Sequence, residues 1–171
     1  DVADYSERTI AVGVTLGDGL PDGSPEDGLG DTLTGIDDVW GGDGNDALTG
    51  DLGDNILDGG PGAAAIAGGS GIDFVDYSIR TSGVTADADG VAGDDGEAGE
   101  GDTIGADVEV LIGGGGPDVL TGNGLENLLA GLGGNDLLDV RGTGPDLVDC
   151  GTGIDTGLID GNDAATGCES F

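Results

Sequence analysis

The sequence predicts an all-β fold in which short parallel strands stack layer on layer as a β-roll or β-helix. Three observations carry this. First, Gly41–Asp76 divides without a gap into four nine-residue units: GGDGNDALT, GDLGDNILD, GGPGAAAIA and GGSGIDFVD. Second, each unit opens with six Gly-rich turn residues and closes with three residues centred on an aliphatic side chain: Leu48, Leu57, Ile66 and Val75. Third, the sixth position is Asp46, Asn55, Ala64 and Asp73, so oxygen-bearing side chains recur at fixed phase beside the apolar ones. A nonapeptide period of this grammar marks a parallel roll whose turns hold calcium.

Residues 1–40 contain no clean nonad. Thr9–Leu16 (TIAVGVTL) alternates like a strand, an acidic Gly/Pro loop follows over Gly17–Asp31, and Gly35–Trp40 leads into the first nonad. The layout recurs 72 residues on. DYSERT at Asp4–Thr9 returns as DYSIRT at Asp76–Thr81, and GGDGNDALTG as GGGGPDVLTG at 113–122. An acidic loop, Ala86–Asp102, and a lead-in, Asp107–Ile112, lie between. The chain thus reads as a first cassette (1–75), a second (76–158) and a C-terminal cap (159–171) in one continuous stack. The second run of nonads is GGGGPDVLT, GNGLENLLA and GLGGNDLLD, then an extra Val140, then RGTGPDLVD and CGTGIDTGL. Its sixth positions are Asp118, Asn127, Asp136, Asp146 and Asp155, and its aliphatic ladder stops at Gly157. The cap is expected to cover the last apolar layer there.

Charge sets the next constraint. The chain carries 36 acidic and 3 basic residues, a formal charge of -33, with 41 glycines and 3% aromatic content. Self-repulsion on this scale opposes any compact state unless cations are supplied. One aliphatic per nonad cannot offset ordering at about 1–2 kcal/mol per residue. Turn carbonyls and sixth-position carboxylates offer the mixed oxygen set that calcium prefers over magnesium. Folding and binding are therefore expected to be coupled. Asp118, Asp136 and Asp155 should form one ladder and Asn127 and Asp146 another, with Asp46 facing Ala64 and Asn55 facing Asp73. Ala64 marks a weak or absent site. The expected metal residues are Asp43, Asn45, Asp46, Asn55, Asp73, Asp118, Asn127, Asn135, Asp136, Asp146 and Asp155.

The units resemble the RTX (hemolysin-type) calcium-binding repeats, GGxGxDxUx with U aliphatic, over nine nonads and about half of the chain. The resemblance implies a right-handed parallel β-roll that is secreted and holds several Ca2+ ions in its turns. It implies ligands at Asp46, Asp73, Asp118, Asp136, Asp146 and Asp155, leaves Asn55 and Asn127 open, and fails at Ala64.

Other classes are disfavoured. No basic patch suits nucleic acid, and no apolar run has the length of a membrane span. Catalysis has little support: there is no histidine, and the serines lack a G-x-S-x-G elbow. Cys150 and Cys168 fit no zinc spacing and are expected to form a disulfide, which implies an oxidising, extracellular or cell-surface setting. Arg8 and Arg80 are expected to pair with acidic neighbours such as Asp4 and Asp76, with Tyr5 and Tyr77 covering a layer edge. The acidic loops Gly17–Asp31 and Ala86–Asp102 are each expected either to hold further calcium, with Asp94, Asp95, Glu97, Glu100 and Asp102 close enough to converge in the second, or to form a solvated charge run. Trp40 is expected to pack in a core or interface.

No signal peptide is evident, so the chain reads as processed or as a fragment. Asp1 aligns with Asp73, at the sixth position of a nonad. A cut inside a longer repeat protein explains this best; end-to-end stacking of copies is the alternative. The functional expectation is a secreted, calcium-dependent structural scaffold. The alternatives are a subunit of a head-to-tail polymer or fibre and the non-catalytic repeat region of a larger enzyme or adhesin.

Overall fold

A computed structural model describes residues 1–25 and 30–171; part of the first acidic loop thus lies outside the described residues. Among these there is no α-helix, and no helix is long and apolar enough to cross a membrane. Nearly all strand pairing is parallel. The last three residues of every nonad form a strand, from Ala47–Thr49 to Thr156–Leu158. The cause is local: six turn residues bring the chain round, and the next three extend with only the central side chain turned inward. Ile56–Asp58 shows it, with Leu57 buried between two more exposed neighbours.

One sheet has eight parallel strands: Val2–Asp4, Asp38–Trp40, Ile56–Asp58, Phe74–Asp76, Val110–Ile112, Leu128–Ala130, Leu147–Asp149 and Ala164–Thr166. A second has Gly13–Thr15, Ala47–Thr49, Ala65–Ala67 and Thr103–Ile104. A third stacks Val84–Asp87, Val119–Thr121, Leu137–Asp139 and Thr156–Leu158, with Gly96–Glu97 antiparallel on Val84–Asp87. Alternate nonads pair in register, as in Leu48 beside Ile66 and Leu57 beside Val75. The central aliphatics of all three sheets, including Val39, Leu57, Val75, Leu48, Ile104, Leu120 and Leu138, form one buried cluster. Val140 is absorbed by burial of its side chain, and its N–H donates to Leu158 O at 2.9 Å.

The two cassettes share their sheets. Thr103–Ile104, delivered by the second acidic loop, turns back and pairs with Ala65–Ala67 of the first cassette. Asp95 fixes this return: its buried carboxylate accepts the N–H groups of Asp87 at 2.7 Å and Ile104 at 3.0 Å. Of the expected Thr9–Leu16 strand only Gly13–Thr15 pairs, although Val12, Val14 and Leu16 are all buried. Trp40 is not in the core. It stands on the outer face of the eight-stranded sheet, aligned with Asp4 and Asp58.

Cys150 and Cys168 are joined by a disulfide with Cα atoms 5.2 Å apart. It fills the place where the aliphatic ladder stops. A Cβ on Gly157 would lie 2.9 Å from Cys168 Sγ, so the sulfur occupies the room a side chain would need.

Glycine is required where turns stack. A Cβ on Gly62 would lie 1.9 Å from Gly44 O, and one on Gly153 would lie 1.5 Å from Gly134 O, each in the layer beneath. Leu132 breaks the pattern as a non-glycine residue at φ 63°. Its side chain is exposed, so Leu132→Gly removes left-handed strain and gives up little burial. The expected result is a gain of about 1 kcal/mol, read as a higher thermal midpoint.

Candidate metal sites in the stacked turns

The sixth-position side chains point inward and are buried: Asp46, Asn55, Asp73, Asp118, Asn127, Asp136, Asp146 and Asp155. Each Asp uses Oδ1 in the same way, accepting a backbone N–H from the layer before. Asp46 takes Val12 N–H at 2.8 Å, Asp73 takes Asn55 at 3.0 Å, and Asp118 takes Val84 at 2.8 Å. Asp136 takes Asp118 at 2.9 Å, Asp146 takes Asn127 at 2.8 Å, and Asp155 takes Asp136 at 2.8 Å. The expected Asp118–Asp136–Asp155 and Asn127–Asp146 ladders are thus present as hydrogen-bonded columns.

The second oxygen divides five of these six residues, all but Asp146, into two groups. Asp46 Oδ2 accepts Gly42 N–H at 2.7 Å, and Asp118 Oδ2 accepts Gly114 N–H at 2.6 Å. Both carboxylates are therefore satisfied by their own turns. Asp73, Asp136 and Asp155 each keep a buried Oδ2 with no partner. Turn conformation explains the difference. In these three turns the second residue is left-handed: Gly69 at φ 101°, Leu132 at 63° and Gly151 at 84°. That geometry turns the N–H outward, so Gly69 donates to Asp107 Oδ2 at 3.0 Å and Gly151 to Asp149 Oδ1 at 3.2 Å.

An orphaned buried carboxylate oxygen costs free energy unless it is protonated or meets a cation. Burial accordingly pushes Asp73 and Asp136 up to about 6. Burial also raises Asp118 and Asp146 above the usual carboxylate range. The two asparagines balance differently. Asn55 Oδ1 accepts Asp51 N–H at 2.8 Å while its Nδ2 donates to Asp37 O at 2.7 Å. Asn127 Oδ1 accepts Asn123 N–H at 2.7 Å and its Nδ2 donates to Glu109 O at 3.4 Å. An amide can donate where a carboxylate cannot, so these layers close without a cation. Asp43, Asn45 and Asn135 lie on the exposed rim. Asn45 Oδ1 accepts Ala63 N–H at 3.2 Å and Asn135 Oδ1 accepts Ile154 N–H at 2.9 Å.

Among the described residues, the acidic loop supplies another group. Asp87, Asp89 and Asp94 bring one carboxylate oxygen each to within 4.8 Å of one another and could hold a metal ion. Burial, with hydrogen bonding to Asp89, raises Asp87 to about 6. The wider convergence expected of this loop does not form. Asp95 and Asp102 are buried as backbone acceptors. Glu97 accepts Ser82 N–H at 3.2 Å, and Glu100 accepts Glu97 N–H at 2.8 Å. Asp87 and Asp89 belong to the loop Ala86–Asp102 in which further calcium is expected, although the residues expected to converge there begin only at Asp94.

Set against known proteins, the chain matches no family model and no curated sequence. The repeat resemblance therefore rests on the nonads themselves.

Proposed function

We propose that the chain is a calcium-binding module, a right-handed parallel β-roll with two nonads per coil, which folds as its turns take up Ca2+. The observation that carries this is the orphaned, buried Oδ2 of Asp73, Asp136 and Asp155. These residues would hold the ions, together with glycine-turn carbonyls, and calcium would supply the positive charge that the buried carboxylates lack. Calcium accepts six to eight oxygens of mixed carboxylate and carbonyl type, which suits turns rich in both. The net charge of -33 supports the same reading, since metal uptake relieves repulsion.

The role we propose is a non-catalytic scaffold at the cell surface or in the medium. The Cys150–Cys168 bridge suits an oxidising compartment. Circular dichroism tests the reading. In chelator the strand signal should be weak, and millimolar calcium should raise it cooperatively. A chain equally folded in chelator at neutral pH and moderate salt would refute coupled folding. Particle sizing in the same titration separates a monomeric scaffold from an end-to-end polymer.

A further inference from the structure

We propose that Arg80 is a built-in cation, filling from within the chain the place beside Ala64 that a metal ion takes in the other turns; this rests on the calcium reading above. The turn 59–64 has the backbone of the orphaned-carboxylate turns. Gly60 is left-handed at φ 76°, and its N–H is turned away to Asp58 Oδ1 at 2.9 Å. Its sixth residue, however, is Ala64, which brings no charge.

The missing parts arrive from the second cassette. Ala64 N–H donates to Asp102 Oδ1 at 2.8 Å, the bond that sixth-position N–H groups make elsewhere to the carboxylate of the next layer. Tyr77 Oη–H holds Asp102 Oδ2 at 2.7 Å. Asp102 is thus the carboxylate of a composite turn, supplied by the acidic loop instead of a nonad. Arg80 completes it. Its Nη2 donates to Gly60 O at 2.6 Å and lies 3.3 Å from Glu100 Oε1 and 3.9 Å from Asp58 Oδ1. The guanidinium also lies 5.9 Å from the centre of the Tyr77 ring, and the side chain is buried. A turn carbonyl and two carboxylates are oxygens that a divalent ion would gather. Here the guanidinium takes them through one nitrogen, Nη2, while Nε stays buried without a partner.

Two consequences follow. The junction between the cassettes closes without metal, and Ala64 is tolerated because its layer already holds a cation. The test compares wild type with Ala64→Asp, Arg80→Gln and the double variant. Bound calcium is counted by equilibrium dialysis, folding is followed by circular dichroism, and Arg80→Lys serves as a charge-keeping control. Ala64→Asp should bind as many ions as wild type, and the double variant one more. In chelator at pH 5, Arg80→Gln should unfold at lower temperature than Arg80→Lys, and both below wild type. An extra ion in Ala64→Asp alone, or none in a folded double variant, overturns the proposal. Should wild type bind no calcium, the calcium reading fails, and the melts alone decide: Arg80→Gln melting with wild type sinks the built-in cation.

Discussion

In chelator, raising the pH from about 5 to about 8 should strip the metal-free chain of its strand signal. The buried carboxyls set the direction. Burial raises Asp102, Asp73 and Asp136 to about 6 and Asp95 to about 7, against an ordinary value of 3.8. Below about pH 4 these groups are protonated in both the folded and unfolded chain, so they do not bias folding. Between about 4 and 7 only the unfolded chain ionises, which pulls the equilibrium toward it. Stability is therefore fully present at acid pH, falls through this window, and stays low above it. For Asp102, the most enclosed of them, a shift of about 2 units corresponds to roughly 3 kcal/mol, and solvent screening makes Asp73 and Asp136 worth less. Even one such group is a large fraction of the 5–15 kcal/mol typical of a domain. Calcium should reverse the trend at neutral pH by favouring the ionised form. Circular dichroism at both pH values, with chelator and with calcium, checks the sign. A metal-free chain better folded at pH 8 than at pH 5 contradicts it.

The second large effect is steric. Gly153→Ala places a Cβ 1.5 Å from Gly134 O, a backbone atom that cannot swing aside. The stacked turns must then separate, and with them the orphaned oxygens of Asp136 and Asp155. A loss of more than about 3 kcal/mol is expected, against less than about 0.5 kcal/mol for Gly161→Ala, which meets nothing within 4 Å. Thermal melts in calcium measure both. Equal melts for the two variants would mean that the turns are not closely stacked.

The strands were readable from position eight of each nonad, because one buried aliphatic in a three-residue strand leaves little freedom of register. Leu57, Leu120 and Leu138 each sit where the period puts them. The return strand Thr103–Ile104 was not readable, since it pairs out of chain order with Ala65–Ala67. A signal did exist: Gly30-Asp31-Thr32-Leu33 recurs as Gly101-Asp102-Thr103-Ile104. The structure gives the repeat a meaning, as Tyr5 Oη–H donates to Asp31 Oδ2 at 3.0 Å and Tyr77 makes the matching bond to Asp102. Arg80 pairs with Glu100 and Asp58, not with Asp76, whose Oδ1 takes Ser78 N–H at 2.7 Å.

The buried sixth-position residues were legible by type and not by state. Asp46, Asp118 and Asp136 look alike in the repeat. They differ in the fold because Gly42 and Gly114 turn an N–H onto the carboxylate, whereas Leu132 has the left-handed backbone that leaves Asp136 Oδ2 alone. A glycine at the second position permits either state, so its presence could not tell them apart.

The most direct measurement of the central claim is a count of bound calcium by equilibrium dialysis in four isosteric variants. Asp136→Asn and Asp155→Asn should each lose an ion relative to wild type. Asp46→Asn and Asp118→Asn set an amide NH2 against a backbone N–H and should melt lower but, with the folded fraction measured by circular dichroism, should keep the full count per folded chain. Equal losses in all four, or none in any, would contradict the account.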